Sequence, residues 1–136
     1  MEESKLNWYA LKVFYNKVFE IESHLEDMGL ETYIPVRQVQ LKGEDHLRAA
    51  RRLATPDDTR RDNQYVQVGP VIYKREPVVS SLLFVRAGES DLPEIIRIIF
   101  GRGFVYKMAD GDRYAVIPDK QMAMFRMVCS SGADGI

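Results

Sequence analysis

Cysteine is nearly missing from this chain: Cys129 stands alone among 136 residues, so no internal disulfide can form. That suits a reducing compartment. Histidine is almost as scarce, and neither His24 nor His46 has a Cys, His or carboxylate at zinc-motif spacing. Long hydrophobic runs are missing too, every apolar stretch falling far short of the roughly 20 residues that span a bilayer. The opening Met1-Glu2-Glu3-Ser4-Lys5 is acidic and polar, unlike a signal peptide. Nor is there a dominant charge. With 19 basic against 20 acidic residues the net charge is −1, a balance that neither announces nor excludes a nucleic-acid partner. The expectation is a cytoplasmic, soluble protein with no membrane partner.

Catalytic patterns are also lacking. Ser80-Ser81 has no Gly-x-Ser-x-Gly setting and reads as strand serines. Gly101-Arg102-Gly103 follows a helical pattern and precedes a strand, the reverse of a dinucleotide fingerprint, so it reads as a helix stop. Asp110-Gly111-Asp112 and Asp57-Asp58 are too sparse for a calcium loop and have turn chemistry. Cys129, at the end of an apolar helix, reads as a small buried hydrophobe. No catalytic residue, metal, cofactor or small-molecule substrate is expected. The chain reads as a binding module.

What is present is ordinary globular material, 46% apolar and 29% charged, at a length for one domain. Pro77 to Ala87 is its best spine: the unbroken run Leu82-Leu83-Phe84-Val85 predicts a central strand covered on both faces. Asn7–Phe14 alternates as a first strand, with Tyr9, Leu11 and Val13 on one face and Trp8, Ala10 and Lys12 on the other. Val18, Ile21, Leu25 and Met28 then fall at helical spacing, with Asn16 as N-cap and Gly29 as stop. Leu30–Leu41 returns to alternation with a parity slip, predicting a bulge near Arg37-Gln38; Pro35, lacking an amide donor, predicts an edge position.

Lys42–Asn63 is the least organised stretch. His46–Ala54 predicts a helical turn or two lined by Leu47, Ala50 and Leu53, and Thr55-Pro56-Asp57-Asp58 a turn. Arg48, Arg51, Arg52, Arg60 and Arg61 make it a mobile basic excursion; arginines in a flexible loop suit phosphate contacts, as they suit a solvated loop with no partner. Tyr65–Val68 and Val71–Lys74 flank Gly69-Pro70 as a short ribbon. Asp91-x-x-Glu94 with Pro93 opens a helix burying Leu92, Ile95, Ile96 and Ile99. Phe104–Met108, a turn at 109–112 and Tyr114–Ile117 predict a hairpin. A last helix from Pro118-Asp119 uses Met122, Phe125, Met127 and Val128, and 130–136 reads as a tail. Together these predict an α+β sandwich, a mainly antiparallel sheet with helices on its faces.

Several stretches carry a resemblance in order: Trp8-Tyr9-Ala10-Leu11, Glu31-Thr32-Tyr33-Ile34-Pro35, Leu82-Leu83-Phe84-Val85-Arg86, Gly103-Phe104-Val105-Tyr106 and Ala115-Val116-Ile117-Pro118-Asp119. The set resembles the N-terminal domain of the NusG family of transcription elongation factors, most closely the UpxY antiterminators of capsular-polysaccharide operons. It spans Asn7 to about Cys129 and matches poorly over 42–74. It implies a four-stranded antiparallel sheet with three helices over 1–129, carrying a flexible basic insertion and ribbon at 42–74. It also implies docking on the clamp helices of RNA polymerase's largest subunit, through Val79, Leu82, Phe84 and Met108. Contact with non-template DNA would fall to Lys12, Lys17 and His24. Where many relatives have Phe-Pro-Gly/Ser-Tyr, this chain has Val79-Ser80-Ser81-Leu82, without the two aromatics. A small β-barrel (KOW) domain normally follows; here 130–136 reads as a linker stub and no KOW domain is expected within the chain. The alternative reading is a nucleic-acid-binding domain acting through Arg48, Arg51, Arg52, Arg60 and Arg61 without polymerase.

Overall fold

The computed structural model describes residues 5–55, 63–79 and 81–134, with side chains to residue 128. Arg60, Arg61, Ser80, the Pro56-Asp57-Asp58 turn and the side chain of Cys129 lie outside these.

The first strand forms where alternation predicts it. β1 (Leu6–Val13) buries Tyr9, Leu11 and Val13 on one face and Trp8 on the other. α1 (Val18–Asp27) follows, its Val18, Ile21 and Leu25 turned inward. Asn16 does not cap it. Asn16 and Tyr15 both sit at left-handed φ, 57° and 62°, which tightens the strand-to-helix turn and leaves Lys17 at the cap position. Gly29 stops the helix at φ 81°, as predicted, its amide donating to Glu26 O and that of Leu30 to Leu25 O.

The next extended stretch divides between two sheets. β2 (Glu31–Tyr33) ends before the buried pair Ile34-Pro35, and β3 (Val36–Gln40) begins after it. The predicted bulge near Arg37-Gln38 is absent. β3 runs in unbroken register against β5 (Val71–Pro77), and the break falls instead at Pro35, which has no amide to continue a ladder. β4 (Tyr65–Val68) completes a three-stranded sheet in the order β3-β5-β4. The basic stretch is more regular than the sequence suggests, because α2 (Gly43–Ala54) is a full helix of 12 residues. Its buried residue is Ala49, while Leu47 is exposed.

The spine is also shorter than predicted. Pro77 ends β5, the chain turns with Ser81 at φ 73°, and β6 (Leu82–Gly88) begins at Leu82. Its central place holds. With β7 (Gly103–Val105) the main sheet runs β2-β6-β1-β7, every neighbouring pair antiparallel. Between β6 and β7, a single 3₁₀ turn leads into α3 (Leu92–Ile99), and Asp91 accepts the Gly88 amide at 2.9 Å. The predicted hairpin survives as isolated pairings: Lys107 bridges Tyr114, and the amides of Tyr106 and Ile117 donate to Ala10 O and Trp8 O on the β1 edge. α4 (Asp119–Asp134) is the last described element, so residues 130–134, whose composition reads as a tail, are helical. Met122 is buried from it, but Met127 and Val128 are exposed.

Helices pack on both faces of the main sheet. On the first, α1 and α3 pack Ile21, Leu25, Ile95 and Ile99 against Leu11, Leu83 and Val85, all essentially without exposure; each such aliphatic is worth about 1.5–3 kcal/mol relative to exposure. On the second, α4 sets Met122 on Trp8 and Phe84. α1, α3 and α4 are thus the three helices expected of the sheet, and α2 belongs to the small sheet. One buried cluster ties the small sheet to the body. Glu22 of α1, 5% exposed, accepts from both terminal nitrogens of Arg75 on β5 (3.1 and 3.3 Å) and from Asn63 Nδ2 (2.9 Å). The Arg75 guanidinium also lies over the Phe19 ring at 4.9 Å.

Candidate interaction surface

Register decides which side chains share the second face of the main sheet. Directly opposed residues in an antiparallel pair point to the same side, so three rows cross it: Glu31–Arg86–Trp8, Tyr33–Phe84–Ala10 and Leu82–Lys12–Phe104. α4 covers the first two. Phe125 meets Phe84 edge-on at 5.5 Å and Tyr33 at 6.3 Å. The Arg126 guanidinium lies over Tyr33 at 4.9 Å and Trp8 at 5.6 Å while pairing with Glu31 at 3.3 Å.

The third row stays open. Phe104 is 45% exposed, and Lys12 and Leu82 are half-buried. Aromatic rings extend it along the sheet edge: Phe104 packs edge-on against Tyr106 at 5.2 Å and tilted against Phe14 at 6.0 Å, and Phe14 packs edge-on against Tyr15 at 5.9 Å. The Lys12 ammonium stands 5.8 Å from the Phe14 ring centre. Among the described residues the left-handed non-glycine positions, Tyr15, Asn16 and Ser81, all lie in the turns at this end of the sheet, and the Val13 amide donates to Ser81 O. Backbone held in that region costs on the order of 1–3 kcal/mol per residue and concentrates at working surfaces.

The sequence-predicted residues are thus only partly brought together. Leu82 lies in the open row, and Val79, 47% exposed, is in the turn that leads to it, its carbonyl accepting the Leu82 amide. Phe84 shares the face but is buried beneath α4, so its contact is with the helix. Met108 lies elsewhere, lining a cavity of about 650 Å³ with Tyr9, Leu92, Pro93 and Ile96 beside α3. Lys12 points to the side away from α1, while Lys17 stands exposed at the start of α1 and His24 in its last turn, half-buried. Seven residues of helix set those two about 10 Å apart. Arg48, Arg51 and Arg52 project from α2, with Arg52 the least exposed of the three.

Sequence reasoning did not single out Phe104, Tyr106 and Phe14, which line or adjoin the open row. The signal was present: Phe104-x-Tyr106 alternates, and Lys12 shares parity with Trp8. What was needed was the β1–β7 register, which brings the two strands side by side. One titratable group is clearly displaced near the buried cluster. Partial burial, and then the neighbouring Glu22 carboxylate, raise the Glu26 carboxyl above its ordinary 4.5 against an opposing pull from Arg75. Among the described residues no group of His, Cys, Asp and Glu is arranged to hold a metal, and no helix is long and apolar enough to cross a membrane.

A protein-family model described as "Transcription termination factor nusG" matches residues 6–126. No curated protein and no solved structure matches the chain.

Proposed function

The chain belongs to the NusG family of transcription factors, and we propose that it acts as an elongation or antitermination factor by docking the open row of its main sheet on RNA polymerase. The carrying observation is the uncovered strip Leu82–Lys12–Phe104 with Tyr106 and Phe14 beside it, on a face otherwise sealed by α4. Aromatics concentrate interface energy. Phe104 and Tyr106 take the part of the two aromatics that the Val79–Leu82 turn lacks, and Lys12 belongs with them, not with the DNA contacts. The partner is the clamp-helix pair of the largest subunit, as the family resemblance implies. Phe84 acts indirectly, holding α4 and the row in place. Lys17 and His24 on α1 are the non-template DNA candidates.

The mechanism needs no chemistry. A domain that binds the closed, pause-resistant enzyme more tightly than the open one shifts the population toward it by its differential affinity alone. The resemblance to the UpxY group directs this activity to polysaccharide operons.

Retention on immobilised core polymerase tests the reading. Phe104→Ala should weaken binding by about 10- to 100-fold, the range of an aromatic anchor, while leaving thermal stability nearly unchanged because the ring is half exposed. Deleting the clamp-helix tip should abolish retention of the parent protein. Equal binding to core enzyme with and without the clamp helices would overturn it.

A further inference from the structure

The inward stripe of α2 is chemically unusual. Residues at i, i+3, i+4 and i+7 along it are Asp45, Arg48, Ala49 and Arg52, and only Ala49 is buried. A helix packed on a sheet normally presents apolar residues there. Here the stripe borders a groove of about 810 Å³ whose opposite wall includes the cross-strand row Val39–Lys74–Tyr65, with Lys42 at the helix entrance. Four cations, Lys42, Arg48, Arg52 and Lys74, line it against two acids, Asp45 and Glu76. Glu76 is paired with Arg37 at 3.3 Å. Among the described residues no ion pair engages Lys42, Arg48 or Lys74.

We infer that this groove between α2 and the small sheet binds the backbone of a single-stranded nucleic acid, with Tyr65 as a stacking surface for a base. In a chain of net charge −1, an excess of positive charge has been gathered into one concavity, where low-dielectric walls focus the field. Guanidinium and ammonium groups on both walls suit phosphate oxygens. An aromatic ring beside them, here Tyr65 next to Lys74 on the sheet wall, is the second component of single-strand sites, since every base has a face to stack. A duplex presents a convex backbone and suits an open basic surface better than cations inside a groove. The site lies on the small sheet, apart from the open row of the main sheet, and does not depend on polymerase docking.

The test is fluorescence anisotropy of the full chain, without polymerase, with labelled single-stranded DNA and RNA 12-mers and the matching duplexes over a salt series. Arg48→Gln and Lys74→Gln should each weaken binding and make the log–log salt slope less negative by about 0.7, the increment for one single-strand phosphate contact. Tyr65→Leu should cost roughly fivefold or more at unchanged slope. Asp45→Asn should tighten binding, an outcome that general damage to the fold cannot produce. Phe104→Ala should change nothing here, which separates this site from the docking row. Unchanged affinity and slope in Arg48→Gln and Lys74→Gln, or weakened binding in Asp45→Asn, would overturn the inference. So would duplex bound as tightly as single strand, or polyglutamate competing as well as the oligonucleotide.

Discussion

Arg75→Met should be among the most destabilising single substitutions outside the hydrophobic core. The Arg75 side chain is 19% exposed and that of Glu22 7%, joined by two hydrogen bonds of 3.1 and 3.3 Å. Removing the guanidinium leaves the Glu22 carboxylate buried without its counter-charge, a change that costs about 3–5 kcal/mol in comparable pairs. Asn63 Nδ2 still donates at 2.9 Å and Thr32 Oγ1 at 3.5 Å, which places the expected loss near the lower end, about 3 kcal/mol. A domain of this size has roughly 5–15 kcal/mol in total. Replacing both partners, Glu22→Met with Arg75→Met, removes the buried charge as well, so the double variant should recover about 2 kcal/mol or more of the summed single losses. Urea unfolding followed by Trp8, the sole tryptophan, reports the main sheet. Amide exchange at Ile72 and Tyr73 reports the small sheet. If the cluster is the tie between them, Arg75→Met lowers exchange protection in β5 at least as much as it lowers global stability. A coupling energy below about 0.5 kcal/mol, together with unchanged β5 protection, would refute the reasoning.

Two further outcomes follow from the same geometry. At Gly103 a Cβ would lie 2.0 Å from the Lys12 carbonyl oxygen and 3.0 Å from Val13 Cα, so Gly103→Ala should push β7 off β1; a loss of about 2 kcal/mol or more is expected in thermal unfolding, and a parent-like melting temperature would contradict the β1–β7 register. Glu26 has its folded-state carboxyl raised above 4.5, meaning that the folded protein holds its proton more tightly than the unfolded chain; its contribution is therefore unfavourable at neutral pH and is relieved as pH falls below the unfolded value. Glu26→Gln should stabilise slightly at pH 7, by less than about 0.5 kcal/mol for so exposed a residue, and the gain should vanish near pH 4; a gain that persists at pH 4 would mean that charge is not its cause.

How much of this was legible in the chain differs from element to element. Alternation in Asn7–Phe14 and the run Leu82–Val85 identify the two inner strands of the main sheet, because a strand's burial pattern is written in its own residues at period two. The helical spacing of Val18, Ile21 and Leu25, and of Leu92, Ile95 and Ile99, likewise places α1 and α3, and Gly29 marks its stop through a backbone need that glycine meets. The ordered set of short motifs was enough to point to the family. The limits appear where a residue's meaning depends on a distant partner. Pro35 signals an interrupted ladder, but that its two sides enter different sheets depends on β5 and β6. The arginines of α2 look like a mobile loop until the helix is seen to rest on β5, with Ala49 buried.

The candidate site shows the same division. Composition and spacing by themselves contain no apolar run long enough to span a bilayer and point toward a binding module. They also read Leu82 as part of a strand covered on both faces, which it is not. Only the tertiary structure decides that α4 seals the Phe84 row and stops short of the Leu82–Lys12–Phe104 row. The same structure sets Lys74 and Tyr65 across a groove from Arg48. Periodicity tells each residue which side of its own element it occupies; which sides then meet is set by register and helix placement among segments dozens of residues apart, and no local pattern encodes that.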